Sequence, residues 1–272
     1  IFIGEPSVLI TEPELGFRVQ KAAITDKLLS LMQDTMFLAR RQEYAQLDFF
    51  ARLQLAAKTH GGSRLIVRDL NRAVNYRALI TGVHVMAGKL RPTFAANENT
   101  VGVLLPNAVA HVVVLFALFR LGKTPAIMNF STGLRNVLDS ADTAGIKTVL
   151  TSRAFVEKAN LGELVGQLAT TNQVVFLEDL AKTISLLDKL NGLYRYFRRQ
   201  PGAATADSRL ILFTSGTEGR PKGVVLSHQA ILANIDQASS VIDYSPADRM
   251  LNALPMFHSF GLMAGTMLPI LG

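Results

Sequence analysis

A segment rich in hydroxyl side chains and glycine, with a single lysine, runs from Thr214 to Gly223. Glycines let the backbone adopt positive φ and approach an anion closely, so that successive N–H groups can point at one phosphate. Hydroxyl groups add donors, and the lysine adds a compact positive charge. The composition predicts a polyphosphate-binding loop built from Thr214, Ser215, Gly216, Thr217, Glu218, Gly219, Lys222 and Gly223.

The Walker phosphate loop, G-x-x-x-x-G-K-[ST], is the main alternative for this segment. Counted from Gly216, its second glycine position holds Pro221, and Lys222 is followed by Gly223 rather than Ser or Thr. Residues 223–226 also predict a strand, whereas a Walker loop leads into a helix. These differences exclude the Walker class. An ordinary hairpin loop explains the turn-forming residues but not their combination with the lysine.

Phe257 and His258 form a second candidate group, because they follow a predicted strand at Arg249–Leu254. Ligands of parallel α/β sheets bind at the carboxyl ends of the strands. His258 is therefore a candidate catalytic residue, as a donor to a carboxylate or phosphate or as a gate; a structural histidine is the alternative. The spacing of His, Asp and Glu predicts no metal cluster. Structural roles are assigned to His60, His84, His111 and His228.

Short apolar strands alternate with amphipathic helices after residue 62, and these elements must position both groups. Two helices are predicted before that point, at Ala22–Arg40 and Glu43–Lys58. Strands are predicted at Arg64–Arg68, Val101–Leu105, Thr148–Thr151, Gln173–Leu177, Arg209–Phe213, Gly223–Leu226 and Arg249–Leu254. Helices are predicted at Tyr76–Leu90, Ala108–Leu121 and Leu134–Ala144. This alternation predicts an α/β fold with a doubly wound, mostly parallel sheet, preceded by a short helical segment.

Composition narrows the class of protein further. The chain is 49% hydrophobic over 272 residues, enough for a sizeable core, and its lack of cysteine favours an intracellular protein. Its uninterrupted apolar stretch at 112–119 is far shorter than the roughly 20 residues that span a bilayer, so no transmembrane helix is predicted. The net charge of +7 indicates an anionic partner. Dispersed basic residues without an aromatic and glycine pattern argue against nucleic acid.

Residues 214–223, with two valines behind them, resemble the signature loop of the acyl-adenylate-forming (AMP-binding) superfamily, which includes acyl-CoA and acyl-carrier-protein synthetases, luciferases and peptide-synthetase adenylation domains. Glu218 stands where the commoner form has Thr. That variant, together with residues 129–133, 151–153 and 254–261, resembles one bacterial branch, the bifunctional 2-acylglycerophosphoethanolamine acyltransferase/acyl-[acyl-carrier-protein] synthetases. The resemblance runs from about residue 65 to residue 272.

The resemblance implies a reaction in two steps. A fatty-acid carboxylate attacks the α-phosphate of ATP, which releases pyrophosphate and leaves an acyl-adenylate; a phosphopantetheine thiol then takes the acyl group. It also implies that Phe257 and His258 border the acyl pocket. Mg²⁺ would accompany ATP, with its carboxylate ligand expected outside this chain. An acyl-CoA synthetase and a noncatalytic nucleotide- or lipid-binding module are the alternatives.

The branch implies further partners and a two-part organisation. The partners are acyl-carrier protein, lysophospholipid and a membrane surface, with the protein at the cytoplasmic face of the bacterial inner membrane. Residues 1–45 are expected to be the tail of an upstream acyltransferase with a linker helix, and residues 46–272 the N-terminal part of the AMP-binding domain. The chain begins at Ile1 and stops after an apolar run, so it is expected to be a fragment without either activity. No histidine is followed by Asp five positions on, as the acyltransferase motif requires.

A basic amphipathic segment runs from Ile184 to Gln200. Its apolar stripe comprises Ile184, Leu187, Leu190, Tyr194 and Phe197, and Arg195, Arg198 and Arg199 cluster at its end. Such a helix can dock on an anionic membrane or an acidic carrier protein. A solvated surface helix that packs its apolar face onto the domain is the favoured interpretation.

Overall fold

The computed structural model describes residues 8, 16–44, 46–199, 201, 208–214, 220–245 and 247–272. Its helices are α1 (Phe17–Tyr44), α2 (Phe49–His60), α3 (Tyr76–Leu90), α4 (Val109–Arg120), α5 (Leu134–Thr143), α6 (Arg153–Lys158), α7 (Gly162–Thr171), α8 (Leu177–Lys182), α9 (Leu186–Phe197), α10 (His228–Val241), α11 (Ser259–Leu262) and α12 (Leu268–Leu271). Its strands are β1 (Leu65–Arg68), β2 (Ala73–Asn75), β3 (Thr100–Val103), β4 (Thr124–Ile127), β5 (Thr148–Thr151), β6 (Gln173–Phe176), β7 (Arg209–Thr214) and β8 (Lys222–Ser227).

The central sheet has six strands in the order β6-β5-β3-β4-β7-β8. Every neighbouring pair is parallel except β7 and β8, which are antiparallel, with β8 as the outermost strand of the sheet. Helices pack on both faces: α2, α3, α4, α10 and α12 contribute to one apolar core, and α5, α6 and α7 contribute to the other. The prediction of a doubly wound, mostly parallel sheet preceded by a helical segment is confirmed.

Local signals explain why several helices begin where the sequence predicts. The side chain of Asn75 accepts a hydrogen bond from the Ala78 N–H at 2.8 Å and so caps α3. Asp48 caps α2 in the same way, accepting from the Ala51 N–H at 2.7 Å. Gly61 then ends α2 with a φ of 89°, a conformation that favours glycine. The two predicted N-terminal helices are present, but α1 is longer at both ends than predicted, and α2 begins at Phe49 rather than at Glu43 because Asp48 caps it there.

Four strand assignments need correction. The predicted strand Arg249–Leu254 is irregular, with Met250 and Leu251 largely exposed and without a strand partner. The first predicted strand, β1, lies outside the main sheet and pairs only with β2, which was not predicted. β4 was also missed, because proline lacks the N–H that a sheet ladder uses and Pro125 stands inside it.

The prediction for the amphipathic segment is wrong in one respect. α9 packs on α3 through Gly192, where an added Cβ would lie 2.8 Å from Val85 Cγ2 and 3.0 Å from the Thr81 carbonyl oxygen. The apolar stripe points away from the domain: Leu187, Leu190, Tyr194 and Phe197 are 76%, 53%, 61% and 66% exposed. None of the described helices is long and apolar enough to cross a membrane.

Candidate active site

The carboxyl ends of the parallel strands β3, β4, β5, β6 and β7 meet at one edge of the central sheet. Short segments leave the sheet there at residues 104–108, 128–133, 152 and beyond 214, and α8 begins directly after β6. Ligands of doubly wound folds bind outside this edge. It is therefore the place to look for the side chains that the sequence singled out.

The phosphate-loop segment joins β7 to β8 at this edge. Thr214 ends β7 and pairs directly with Lys222, the first residue of β8, and both residues are exposed. Because β8 is a strand, the exclusion of a Walker loop is confirmed. The predicted ligands Ser215, Gly216, Thr217, Glu218 and Gly219 lie outside the described residues.

Gly223 lies within β8, opposite Phe213, in agreement with the predicted strand Gly223–Leu226. Its role in phosphate binding stays a prediction. A Cβ on Gly223 would lie 3.2 Å from Ile211 Cγ2, which is a close approach. A packing requirement therefore accounts for this glycine, whereas Thr214 and Lys222 frame the loop.

Asn107, just beyond β3, brings the Phe257–His258 segment to the same edge. Its side-chain amide donates to the Leu254 carbonyl oxygen at 2.7 Å and its Oδ1 accepts from the Met256 N–H at 2.9 Å. The sequence placed His258 correctly near the carboxyl ends of the strands, but through a strand that does not form. Asn107 was not predicted; its position two residues past the apolar run of β3 was the available signal.

Aromatic side chains form an apolar wall beside β4 and β5. Phe257 is buried and its ring centroid lies 5.0 Å from that of Phe130, which follows β4. Phe130 in turn lies 5.0 Å from Phe155. Edge-to-face packing of this kind stabilises the arrangement. His258 is exposed, 4.8 Å from the Phe257 ring, so an imidazole stands at the outer end of the wall.

The other segments named by the resemblance brace this edge. Thr151 donates through Oγ1 to the Leu104 carbonyl oxygen at 2.8 Å, and Ser152 donates through Oγ to Glu178 at 2.7 Å. Burial opposes ionisation of Glu178, but hydrogen bonds from Ser152 and from backbone N–H groups outweigh it and lower the pKa of this carboxyl. Asn129 accepts from the Ser131 N–H and hydroxyl. These contacts join the end of β5 to the segment after β3 and to α8, and they fix the turn after β4.

The apolar run 260–271 supports the site from behind. Most of its residues are buried in the main core, where α11 continues through a π-helical turn at Met263–Met267 into α12. The Asn252 amide donates at 3.0 Å to both the Gly261 carbonyl oxygen and the Thr266 hydroxyl, which holds the segment before Phe257 against this helix. These residues are mostly part of the packed core, and within this run Phe260 alone is largely exposed.

Two of the four remaining histidines have contacts that fit the structural roles assigned to them. His111 is buried in α4 with Nδ1 3.2 Å from the Pro106 carbonyl oxygen, and burial lowers its pKa to about 4. His228 opens α10 behind its cap, Ser227, as predicted. Among the described residues no group of three His, Cys, Asp or Glu side chains is arranged to hold a metal ion. The expectation that a Mg²⁺ ligand lies outside this chain stays a prediction.

Fold and edge together define the N-terminal domain of an adenylate-forming enzyme. The chain belongs to the AMP-binding enzyme family, whose model matches residues 53–272. It is 30% identical over 215 residues to the sulfoacetate–CoA ligase of Cupriavidus necator, covering 76% of this chain and 40% of that ligase. The chain spans less than half the length of the curated relatives it matches.

Solved structures of the same fold agree. The o-succinylbenzoate CoA synthetase of Bacillus subtilis, solved with its acyl-adenylate intermediate, superposes with a TM-score of 0.65 at 22% identity, covering 81% of this chain and 53% of that one. The fatty acid AMP ligase of Legionella pneumophila gives a TM-score of 0.65 at 20% identity, covering 85% and 39%. At this identity the likeness shows the fold.

Proposed function

We propose that the full-length protein activates a fatty acid with ATP as an acyl-adenylate and passes the acyl group to the phosphopantetheine thiol of an acyl-carrier protein. The observation that carries this proposal is the pairing of Thr214 with Lys222. This pairing places both ends of the phosphate loop beside β7, which is the neighbour of β4 in the sheet. Phe130, which packs against Phe257, follows β4. A polyphosphate and an apolar carboxylic acid thus have neighbouring places at one edge.

The chemistry needs positioning and charge neutralisation rather than a covalent nucleophile. Lys222 and the hydroxyl groups of the loop bind the β- and γ-phosphates, which stabilises the pyrophosphate as it leaves. Phe130 and Phe257 hold the alkyl part of the acid, and His258 donates to the carboxylate or the α-phosphate as they approach. The Mg²⁺ that accompanies ATP supplies additional positive charge to the phosphates.

Two relatives bear on the choice of substrate and acceptor. The fatty acid AMP ligase supports adenylation of a fatty acid by this fold. The similarity to a sulfoacetate–CoA ligase favours an acyl-CoA synthetase as the second candidate. Transfer to acyl-carrier protein, reacylation of 2-acylglycerophosphoethanolamine and a place at the cytoplasmic face of the inner membrane are the finer parts of the proposal, and they rest on the sequence resemblance.

Fatty-acid-dependent exchange of labelled pyrophosphate into ATP tests the first step in the full-length protein. Lys222→Ala is expected to lower the exchange rate by about 100-fold, the usual effect of removing one donor from a developing negative charge. Lys147→Ala is the matched control, because Lys147 is an exposed lysine at the amino end of β5. Exchange that survives in Lys222→Ala, or that no fatty acid elicits, would favour the noncatalytic binding module.

The acceptor is tested by supplying holo-acyl-carrier protein or CoA after adenylation. Labelled acyl groups are expected on the carrier protein and then on 2-acylglycerophosphoethanolamine. Acylation of CoA alone would replace the finer proposal with an acyl-CoA synthetase and leave the adenylation step intact.

A further inference from the structure

A polar cavity of about 390 Å³ lies between α3, the end of α4 and α9. α4 begins at the carboxyl edge of β3 and is 12 residues long. At 1.5 Å per residue its far end is roughly 18 Å from that edge, so the cavity is separate from the proposed ATP site. The polar residues that line it are His84, Arg91, Arg120, Asp188, Asn191 and Arg195.

The cavity has a surplus of positive charge. Arg91, Arg120 and Arg195 all line it, and burial followed by the charges of Arg195 and Arg91 lowers the pKa of Arg120. Asp188 is the only carboxylate among the lining residues, and it already binds Lys89 at 2.7 Å and the N-terminus of α9 through Ser185. Three guanidinium groups therefore share one carboxylate that is engaged elsewhere.

Two buried side chains in the cavity carry polar atoms without partners. Arg120 is 7% exposed, and its Nε makes no hydrogen bond within the described residues. His84 is 5% exposed, and neither ring nitrogen has a partner there. Burial, with the charges of Arg120 and Arg195, lowers the pKa of His84 to about 3, so the ring is neutral near pH 7 and offers one N–H donor. Buried polar groups in native proteins are usually satisfied, and here the Nε of Arg120 and both ring nitrogens of His84 lie unpaired at one cavity.

Helix ends account for part of the arginine cluster. Arg91 caps the C-terminus of α3 and Arg120 ends α4, where the partial negative charge of a helix favours a cation. That interaction accounts for the placement of both guanidinium groups at helix ends. It supplies no acceptor for the buried Nε of Arg120. Arg195 lines the same cavity from α9, where its Nε donates to Asn191 Oδ1 at 3.1 Å.

We propose that this arginine cavity binds a phosphate group, as free inorganic phosphate or as the headgroup phosphate of an anionic phospholipid. Guanidinium groups match phosphate oxygens with paired, charge-assisted hydrogen bonds, and several of them around one cavity fit a multiply charged oxyanion better than a single carboxylate. The assignment is independent of the adenylation chemistry at the other edge of the sheet.

The position of α9 makes the lipid source the expected one. Asp188, Gly192 and Arg195 face the cavity, whereas the exposed apolar stripe of Leu187, Leu190, Tyr194 and Phe197 lies on the opposite side of the same helix. An amphipathic helix at a bilayer surface buries its apolar face at the boundary of the acyl chains and leaves its polar face among the headgroups. The proposal therefore takes the ligand from a lipid whose phosphate lies beside the polar face of α9.

The first experiment titrates the full-length protein with inorganic phosphate by calorimetry, at constant ionic strength set with chloride. Arg91→Gln is the test variant, because Arg91 is exposed and its loss leaves the core intact. Arg135→Gln on α5, at an exposed position outside the cavity, is the matched control. Phosphate binding is expected to weaken at least tenfold in Arg91→Gln alone. Equal weakening of phosphate binding in both variants overturns the proposal. So does the absence of phosphate binding, if the vesicle binding described next is also the same in the parent and in Arg91→Gln.

The second experiment separates the two sources with vesicles of phosphatidylglycerol or phosphatidylcholine. Co-sedimentation with phosphatidylglycerol vesicles is expected to fall at least tenfold in Arg91→Gln and to stay unchanged in Arg135→Gln. Leu187→Asp is expected to abolish vesicle binding and leave phosphate binding as it was. Phosphate binding that depends on Arg91 without vesicle binding would identify free phosphate as the ligand.

Discussion

Arg52 and Arg120 are both buried arginines, 3% and 7% exposed, yet their surroundings differ. Arg52 donates through Nη2 to Asp236 at 2.8 Å and through Nε to the Leu271 carbonyl oxygen at 3.0 Å. Its guanidinium also lies 3.9 Å from the centroid of the Tyr44 ring. Among the described residues, Nη1 of Arg52 and Nε of Arg120 both lack a hydrogen-bond partner, but Arg120 has no buried carboxylate beside it and the charges of Arg195 and Arg91 act on it instead.

The difference separates a structural charge from a candidate binding charge. Arg52 joins α2 to α10 and to the end of α12, so its charge is used within the fold. Burial raises the pKa of Asp236 although Arg52 lies beside it. The carboxylate therefore needs the Arg52 guanidinium to offset the cost of burying its charge. Arg120 bears the cost of burial without an equivalent internal partner, and a ligand is the natural explanation.

The largest expected effect concerns the structural charge. Arg52→Met leaves Asp236 buried without its partner and is expected to lower the free energy of unfolding by about 3–5 kcal/mol. Chemical denaturation of the purified protein measures this change. The double variant Arg52→Met/Asp236→Leu is expected to recover more than half of the loss, because it replaces both charges with apolar groups. A single variant as stable as the parent would remove the contrast with Arg120.

His111 is a buried histidine whose expected effect on the free energy of unfolding is smaller than that of Arg52. Burial lowers the pKa of His111 to about 4, while the unfolded chain has a value near 6.5, so the unfolded state binds the proton first as the pH falls. Stability due to this group is complete above about pH 6.5 and is lost as the pH falls towards 4. From pH 7 to pH 5 the loss is about 2 kcal/mol, since one pKa unit corresponds to about 1.4 kcal/mol.

His111→Gln is expected to remove this pH-dependent loss, because glutamine does not titrate and still offers a donor to the Pro106 carbonyl oxygen. Unfolding curves at pH 7 and pH 5 measure it, with His60→Gln as the control at a partly exposed histidine of α2. The same pH slope in the parent and in His111→Gln would show that other groups govern the acid sensitivity.

Local signals made much of the fold predictable. α3 was predicted to the residue because Asn75 caps it and a 3.6-residue apolar period follows, and β5 was predicted equally well from a short β-branched run. β4 escaped because Pro125 argues against an interior strand, and only tertiary pairing with β3 and β7 overrides that preference. Strands with a local pattern of apolar, β-branched residues were predicted, whereas β4, which forms through pairing with β3 and β7, was missed.

The candidate site was predictable in its composition and less so in its construction. Lys222 and Thr214 stand out by residue type, but the Asn107 clamp joins residues 147 and 149 positions apart, which no local pattern reveals. The arginine cavity is harder still, since Arg91, Arg120 and Arg195 come from three helices. The exposed stripe of α9 was misjudged because periodicity identifies an apolar face without saying whether the domain covers it.

The smallest expected change in stability is at Arg120. Arg120→Met exchanges a buried charge for an apolar side chain, so the desolvation cost disappears together with the contacts of the guanidinium group. We expect the free energy of unfolding without phosphate to stay within about 1 kcal/mol of the parent value, and any stabilisation by added phosphate to vanish. Denaturation with and without inorganic phosphate measures both quantities, and Arg135→Gln is expected to keep the response of the parent. A loss as large as that of Arg52→Met would instead make Arg120 a structural charge, and the two arginines would then differ in their partners but not in their role.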